Sequence, residues 1–322
     1  MNAVTPEQAA WFQDVFSRLT SNVEQVIFGK KHAVELAFAT MLSEGHLLLE
    51  DVPGTGKTSL ARAMGESIDG TSQRIQFTPD LLPGDVTGIT VYDQKNREFE
   101  FHPGPVFANV VLADEINRAS PKTQSALLEV MEEGQVTVDG ISRKVGDPFM
   151  VIATQNPVEQ AGTYRLPEAQ LDRFLLKTSL GYPDAASTLS ILQGAGAAKR
   201  AVAAIIAPQR VIEMVDIANG VHADPAVLDY ISRLVEATRT ATQVRLGSSV
   251  RGAIGLTRMA KTWACAHGRG FVTPDDVKTL AVPVLAHRLI LEPEAEFEGV
   301  TAEAIVGQIL LDVVPPTAGA LA

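Results

Sequence analysis

Glycine, lysine and hydroxyl side chains follow one another in the segment Gly54–Thr58, which reads Gly-Thr-Gly-Lys-Thr. An apolar run, Leu47–Leu49, precedes it, and a helical pattern starts at Ser59. Glycines allow backbone N–H groups to close on phosphate oxygens, and a helix start adds partial positive charge. A lysine can reach the outer phosphates of a triphosphate, and a hydroxyl can bind Mg²⁺. We therefore predict a triphosphate site formed by Pro53, Gly54, Thr55, Gly56, Lys57, Thr58 and Ser59, with Thr58 as a metal ligand.

One position departs from the usual pattern of such loops, which begins with a glycine where this chain has Asp51. A side chain at that place bears on how the backbone enters the loop, whereas the phosphate-binding part, Gly54–Thr58, is intact. Such a core arises by chance in roughly one chain of this length in a hundred. A matching acidic site further along the chain is therefore needed to support the prediction.

The acidic pair Asp114-Glu115 supplies that site. It follows Phe107–Ala113, a near-continuous apolar segment typical of a strand buried on both faces of a parallel sheet. We expect Asp114 to hold Mg²⁺ through its water shell and Glu115 to polarise the water that attacks the outermost phosphate. A solvated acidic pair at a strand end is the alternative, and the lysine-containing loop upstream favours the catalytic interpretation.

A further polar residue, Asn156, follows the next apolar segment, Phe149–Thr154. Ligands of parallel sheets bind at the carboxyl ends of the strands, so Asn156 is predicted to position the attacking water. Asparagine before proline is also a common turn former, which leaves a purely local role as the alternative.

An apolar group, Val26–Gly29, interrupts polar surroundings upstream of the loop. Its functional interpretation is a pocket for an adenine ring, which needs apolar faces and backbone hydrogen bonds, with Phe28 and Gly29 as the contacting residues. Ordinary core packing explains the same pattern, and the sequence leaves both possibilities open.

Alternation of apolar strands with helices predicts an α/β fold built on a parallel, doubly wound sheet. Two segments with alternating polarity, Gly88–His102 and Gln135–Val145, predict β-hairpins, the second turning at Asp139-Gly140. Residues 181–207 are rich in alanine and glycine and are predicted to connect two domains. We therefore expect a nucleotide-binding core with an N-terminal helix at 1–180 and a smaller all-α domain at 208–322.

Composition and charge narrow the class of protein. The chain has 322 residues, 46% of them hydrophobic and 20% charged, which is typical of a globular protein. Its net charge of −11 disfavours a broad nucleic-acid surface, which requires clustered lysine and arginine. No apolar run approaches the length of a membrane helix, and the N-terminus lacks the pattern of a signal peptide. A single cysteine, Cys265, fits a reducing cytoplasm, the expected location.

Longer motifs carry a resemblance to a known family. The segments VPGTGKT, VVLADEINRA, LLEVMEEGQVTVDG, ATQNP, GTYRLPEAQLDRF and RLGSSVRG together resemble AAA+ ATPases, and within them the MoxR group, over nearly the whole chain. This resemblance implies a P-loop core whose sheet is sandwiched between helices, two inserted hairpins, and an all-α lid domain. The hairpins would face the pore of a ring or its substrate.

The resemblance also implies roles for individual residues. For two arginines the resemblance is the only basis for a role. Arg173 would be an arginine finger inserted into the neighbouring subunit, and Arg251 would be a second sensor on the lid. Val250 departs from the proline that often precedes that sensor. The remaining roles are Walker A for Lys57 and Thr58, Walker B for Asp114 and Glu115, and the first sensor for Asn156.

The expected function follows from these roles. The resemblance implies Mg²⁺-dependent hydrolysis of ATP by a homo-oligomeric ring, expected to be a hexamer, that remodels or matures a protein client. Metal or cofactor insertion is one form of such maturation, and a partner with a von Willebrand A domain is expected. Two alternatives remain open: a nucleic-acid motor or loader, which the acidic charge disfavours, and a nucleotide-gated scaffold with little turnover, which Asp51 suggests.

Overall fold

Helices and strands alternate through the first half of the chain, and helices dominate the second. The computed structural model describes residues 3–52, 54–156, 164, 166–195 and 202–317. The helices are α1 (Pro6–Glu24), α2 (Lys31–Leu42), α3 (Lys57–Ser67), α4 (Pro83–Thr87), α5 (Pro121–Glu133), α6 (Glu168–Leu171), α7 (Ala185–Ser190), α8 (Pro208–Asn219), α9 (Pro225–Thr240), α10 (Val250–Ala266), α11 (Pro274–Leu285), α12 (Pro293–Phe297) and α13 (Ala302–Asp312). The strands are β1 (Leu47–Glu50), β2 (Ser72–Gln76), β3 (Gly88–Asp93), β4 (Glu98–Pro103), β5 (Val110–Asp114), β6 (Gln135–Val138), β7 (Ile141–Lys144), β8 (Met150–Gln155), β9 (Leu176–Thr178), β10 (Val244–Leu246) and β11 (Ile290–Leu291).

Five strands form the central sheet in the order β2-β5-β8-β1-β9. The pairs β2–β5, β5–β8 and β8–β1 are parallel. All five residues of β5 and the first five of β8 are buried, because apolar side chains occupy both faces of these central strands. The predicted α/β fold with a parallel sheet and flanking helices is confirmed.

The central strand β5 begins three residues later than its apolar run predicts. Residues Phe107 and Ala108 belong instead to a turn that ends at Asn109. The Asn109 side chain accepts a hydrogen bond from the Thr71 amide at 3.0 Å and donates one to the Pro148 carbonyl at 2.9 Å. An asparagine that bonds to the backbone in this way competes with strand pairing, and the ladder therefore starts at Val110.

Both predicted hairpins are present and each forms its own two-stranded antiparallel sheet. In the first, β3 and β4 place Tyr92 opposite Phe99, with ring centroids 5.2 Å apart. The guanidinium of Arg143 in the second hairpin lies 4.0 Å from the ring centroid of Phe101 in the first. This cation–π contact links the two hairpins, and their sequence patterns do not predict it.

The chain divides into two compact units. The core unit contains Arg18–Leu166 and Thr178–Ile212, and the helical unit contains Met1–Ser17, Pro167–Lys177 and Glu213–Ala322. In the helical unit, apolar faces of α9, α10 and α11 are buried around Tyr230, Met259 and Leu280. That unit is mainly helical, as predicted, and it also contains the short antiparallel pair β10–β11.

No helix of the described residues combines the length and the apolar character required to cross a membrane.

Candidate functional site

The glycine-containing loop lies between the buried strand β1 and the first turn of α3. Gly54 and Gly56 have φ angles of +86° and +96°, a conformation in which a side chain would be strained. Beyond its chain neighbours, no described atom lies within 4 Å of where a Cβ on Gly54 would be. The loop is therefore open at this point. The first N–H groups of α3, which include those of Thr58 and Ser59, have no partner within the helix and can bind an anion.

Lys57 is the first residue of α3 and is buried. Its Nζ donates a hydrogen bond to the Asp51 carbonyl at 3.3 Å. The amine therefore lies against the loop with which it is predicted to bind phosphate. Thr55 is also buried, and its hydroxyl donates to the Val52 carbonyl at 3.4 Å. Thr58 is exposed, and Pro53 lies outside the described residues. The loop therefore presents backbone amides, a lysine and a hydroxyl together.

The acidic pair stands at the carboxyl end of β5. Asp114 is buried, and both of its carboxylate oxygens have partners. Oδ1 accepts a hydrogen bond from the Thr154 hydroxyl at 2.7 Å, and Oδ2 accepts one from Nη2 of Arg74 at 2.6 Å. These two contacts fix the plane of the carboxylate.

Glu115 has a left-handed backbone conformation, with φ 58° and ψ 49°. Its N–H donates to the same Thr154 hydroxyl at 2.9 Å. Its carboxylate oxygen Oε2 accepts hydrogen bonds from Gln76 at 2.8 Å and from Arg118 at 2.9 Å. A left-handed conformation is uncommon for residues other than glycine, and here the hydroxyl of Thr154 compensates by bridging both members of the pair.

The loop and the acidic pair lie at the same edge of the sheet. Strand β8 pairs with β5 on one side and with β1 on the other. Neighbouring strands are about 4.8 Å apart, so the ends of β1 and β5 are separated by roughly 10 Å. Asn156 directly follows β8 and is buried between these two ends. Residues distant in sequence therefore converge at one edge, where ligands of such sheets bind.

The predicted adenine-contacting segment lies beside the loop. Ile27 is buried, and its Cδ1 lies 3.5 Å from where a Cβ on Gly56 would be. Phe28 is half-buried, and Gly29 has a φ of +68°. A Cβ on Gly29 would come within 2.5 Å of the Ser187 hydroxyl, so a larger residue would collide with it. Ile27 thus brings this segment against the phosphate-binding loop, and Phe28 and Gly29 follow it in the chain.

The two arginines implied by the family resemblance both belong to the helical unit. Arg173 is half-buried and follows Asp172, while Arg251 is exposed in the first turn of α10. The Ser249 side chain caps α10 by accepting a hydrogen bond from the Arg251 amide at 3.1 Å. Ser249 is therefore the N-cap of α10, and Val250 occupies its first position, where the family often has proline.

Two oxygen donors, the Thr58 hydroxyl and the Asp114 carboxylate, are available for a metal ion. Among the described residues, no group of three or more His, Cys, Asp or Glu side chains could hold one. The Thr58 hydroxyl and the Asp114 carboxylate are the oxygen ligands that Mg²⁺ prefers, and Mg²⁺ is usually bound by one or two protein oxygens together with water and substrate phosphates. This arrangement also fits the open space beside Gly54, where phosphates would lie.

Four residues of the site were not found from the sequence: Arg74, Gln76, Arg118 and Thr154. Arg74 and Gln76 are two apart on β2, so they share a face of that strand. That alternation is a usable signal only once β2 is known to pair with β5. Thr154 is the second-last residue of a buried strand, and a hydroxyl among apolar neighbours there indicates a partner to be satisfied.

Comparison with known proteins identifies the family. A model of the AAA ATPase family associated with various cellular activities matches residues 46–176, and a model of the AAA lid domain matches residues 236–309. Chaperone MoxR1 of Mycobacterium tuberculosis is 39% identical over 94% of this chain and 83% of its own length. The chain belongs to the MoxR family of AAA+ ATPases.

Other similar proteins match nearly the whole chain. A Bacillus subtilis protein named YeaC is 49% identical over 94% of this chain and 95% of its own. The crystal structure of a proposed ATPase from Cytophaga hutchinsonii superposes with a TM-score of 0.91 at 39% identity. It covers 97% of this chain and 98% of that one. The protein is therefore a nucleotide-binding ATP hydrolase.

The matched regions contain the candidate residues. The ATPase-family match includes Lys57, the acidic pair and Arg173, and the lid match includes Arg251. Both halves of the family pattern are thus present in one chain.

Proposed function

We propose that this MoxR-family ATPase forms a ring, binds Mg²⁺ with ATP, and uses hydrolysis to remodel or mature a client protein. The observation that carries the proposal is the convergence of the glycine loop and the acidic pair at one sheet edge. The naming of the Mycobacterium tuberculosis relative as a chaperone supports the client role.

Each polar residue of the edge has a role in this proposal. Lys57 and the first N–H groups of α3 bind the phosphates and offset part of their negative charge. Thr58 and Asp114 would hold Mg²⁺, which supplies charge neutralisation on the outer phosphates when bound. Glu115 accepts the proton of the attacking water, and Asn156 orients that water. Arg74 competes for Oδ2 of Asp114, so it must share that oxygen with the metal's water shell.

A ring follows if Arg173 acts on the site of a neighbouring subunit. An arginine finger contributes about 10³–10⁵-fold to turnover. Turnover per subunit should therefore fall steeply when the protein is diluted below the concentration at which it assembles. An Arg173→Ala variant should bind ATP and hydrolyse it poorly at every concentration. Constant turnover through the dilution range in which sedimentation shows the oligomer dissociating would contradict action between subunits.

The client is tested with a variant that keeps ATP bound. Glu115→Gln should bind Mg-ATP and hold the client-binding state, so tagged protein is used to recover partners with ATP present. Lys57→Ala, which should not retain ATP, is the matched control. A protein that is recovered with Glu115→Gln and not with Lys57→Ala supports remodelling. A von Willebrand A domain in that recovered protein supports the expected type of partner. Recovery of DNA instead, in a manner that weakens with salt, would contradict the client role.

A further inference from the structure

Asp51 stands where phosphate-binding loops usually begin with glycine. Every polar group of this residue has a hydrogen-bond partner. Its carboxylate accepts hydrogen bonds from two successive backbone amides, Leu180 N–H at 2.6 Å and Gly181 N–H at 2.8 Å. Its own N–H donates to the Gln155 carbonyl at 3.1 Å, and its carbonyl accepts from Lys57. The side chain is only 4% exposed. Through these hydrogen bonds, the buried carboxylate links the phosphate loop to the chain segment that begins at Leu180.

The segment that Asp51 holds continues to the predicted base-binding residues. The carbonyl of Tyr182, one residue after Gly181, accepts a hydrogen bond from Lys30 Nζ at 2.7 Å. Further along, the Ser187 side chain packs against the bare backbone of Gly29. Residues 180–187 therefore form a wall beside the Phe28–Gly29 segment, and Asp51 fixes the start of that wall to the phosphate loop.

From these contacts we propose that Asp51 is a positioning residue for the purine base. It sets the distance between the phosphate loop and the wall at 180–187, so that one nucleotide fills both parts of the site. This inference rests on the proposed binding of Mg-ATP and extends it, because it assigns a function to the residue that departs from the usual loop pattern.

The chemistry predicts a selective effect on the base. An asparagine at position 51 can accept only one of the two amide hydrogen bonds, and its NH₂ group would face the other N–H. The wall then loses its fixed position, whereas the glycines, Lys57 and the start of α3 stay in place to bind phosphate. Binding of adenosine should weaken, and binding of a bare phosphate chain should not.

The experiment compares Mg-ATP with magnesium tripolyphosphate, which has the same three phosphates and no base. Dissociation constants are measured by calorimetry for the wild-type protein and for Asp51→Asn. We expect Asp51→Asn to raise the dissociation constant of Mg-ATP about tenfold and that of tripolyphosphate less than about twofold. Equal weakening of both ligands, or no weakening of either, would overturn the inference.

A matched control separates this role from a general loss of stability. Asp276 in the helical unit is equally buried, at 4% exposed, and accepts hydrogen bonds from the Thr273 amide at 2.8 Å and from Arg269. Asp276→Asn should lower stability without changing the ratio of the two dissociation constants. If it changes that ratio as much as Asp51→Asn does, the effect is not specific to Asp51.

A second variant covers the case in which Asp51→Asn does not fold. Lys30→Met removes the hydrogen bond to the Tyr182 carbonyl from a half-buried position outside the core, so we expect the fold to tolerate it. It should weaken Mg-ATP by about threefold and leave tripolyphosphate unchanged, and unchanged binding of both would overturn the inference. Wild-type protein that binds the two ligands equally well would also overturn it while leaving phosphate binding intact. Wild-type protein that binds neither would contradict the proposed function itself.

Discussion

Arg288 donates a hydrogen bond from Nε to Oδ1 of Asp172 across 2.9 Å, with its side chain only 2% exposed. The same guanidinium donates to the carbonyls of Phe174 at 2.7 Å and Leu175 at 3.3 Å. The other oxygen of Asp172 accepts from the Ser249 hydroxyl at 3.0 Å. This polar cluster of the helical unit holds the backbone on both sides of Arg173 and the start of the helix that carries Arg251.

Removing one member of that cluster should destabilise the protein. Asp172→Ala leaves the Arg288 guanidinium buried without its carboxylate, which costs about 3–5 kcal/mol of unfolding free energy. Urea denaturation measures the change. The matched control is Asp229→Ala, which breaks an exposed ion pair with Arg233 and should cost less than about 1 kcal/mol. Similar small losses in both variants would show that the Arg288 contact contributes little.

The Thr154 hydroxyl should be required for turnover, because it is the common partner of Asp114, the proposed metal ligand, and Glu115, the proposed general base. Thr154→Val keeps the shape of the side chain and removes both hydrogen bonds, so the steady-state rate should fall by up to about a hundredfold. Affinity for ATP measured without magnesium should change little, since the phosphate loop is untouched. Thr154→Ser restores the hydroxyl and should restore most of the rate. Full activity in Thr154→Val would contradict the bridging role.

Stability should depend on pH through His287. Burial, together with the nearby charges of Arg288 and Lys177, holds the pKa of this histidine well below its usual value, although a contact with the Phe174 carbonyl opposes the shift. The unfolded chain binds a proton near pH 6.5 and the folded one does not, so stability falls as pH decreases below about 6.5. Between pH 7.0 and 5.5, wild type should lose about 1 kcal/mol more than His287→Gln. Identical pH dependence in urea titrations of the two proteins would rule this out.

The single cysteine should be inert in the folded protein. Burial raises the pKa of the Cys265 thiol to about 12, so very little reactive thiolate exists at pH 8. Iodoacetamide should leave the native protein unmodified by mass spectrometry and should alkylate it completely in urea. Alkylation of native protein at the rate of a free thiol would show that the helical unit opens far more readily than its packing indicates.

Much of the fold and part of the site could be predicted because their signals are local. The segment Gly54–Thr58 and the Asp139-Gly140 turn are each encoded within a few residues, and their geometry does not depend on distant parts of the chain. Asp114 and Glu115 could be found because an apolar strand precedes them. Their convergence with the loop follows from the general rule for parallel sheets.

The remaining contacts depend on which strands and segments become neighbours. Arg74 reaches Asp114 only because β2 pairs with β5, and one sequence does not specify that order. In the sequence, Asp51 is only a departure from the usual loop pattern, because its partners, Leu180 and Gly181, lie far along the chain. Arg288 likewise finds Asp172 across a long sequence separation. Single-sequence reasoning identifies Asp51 as unusual without its partners, and it gives no signal for Arg74 or Arg288.

The central claim is that the loop and the acidic pair act on one Mg-ATP, and separate measurements of binding and hydrolysis on Glu115→Gln test it most directly. The claim predicts that this variant binds Mg-ATP with the affinity of wild type and releases phosphate about 10²–10⁴-fold more slowly, because only the general base is lost. Phosphate release at the wild-type rate by Glu115→Gln would contradict it.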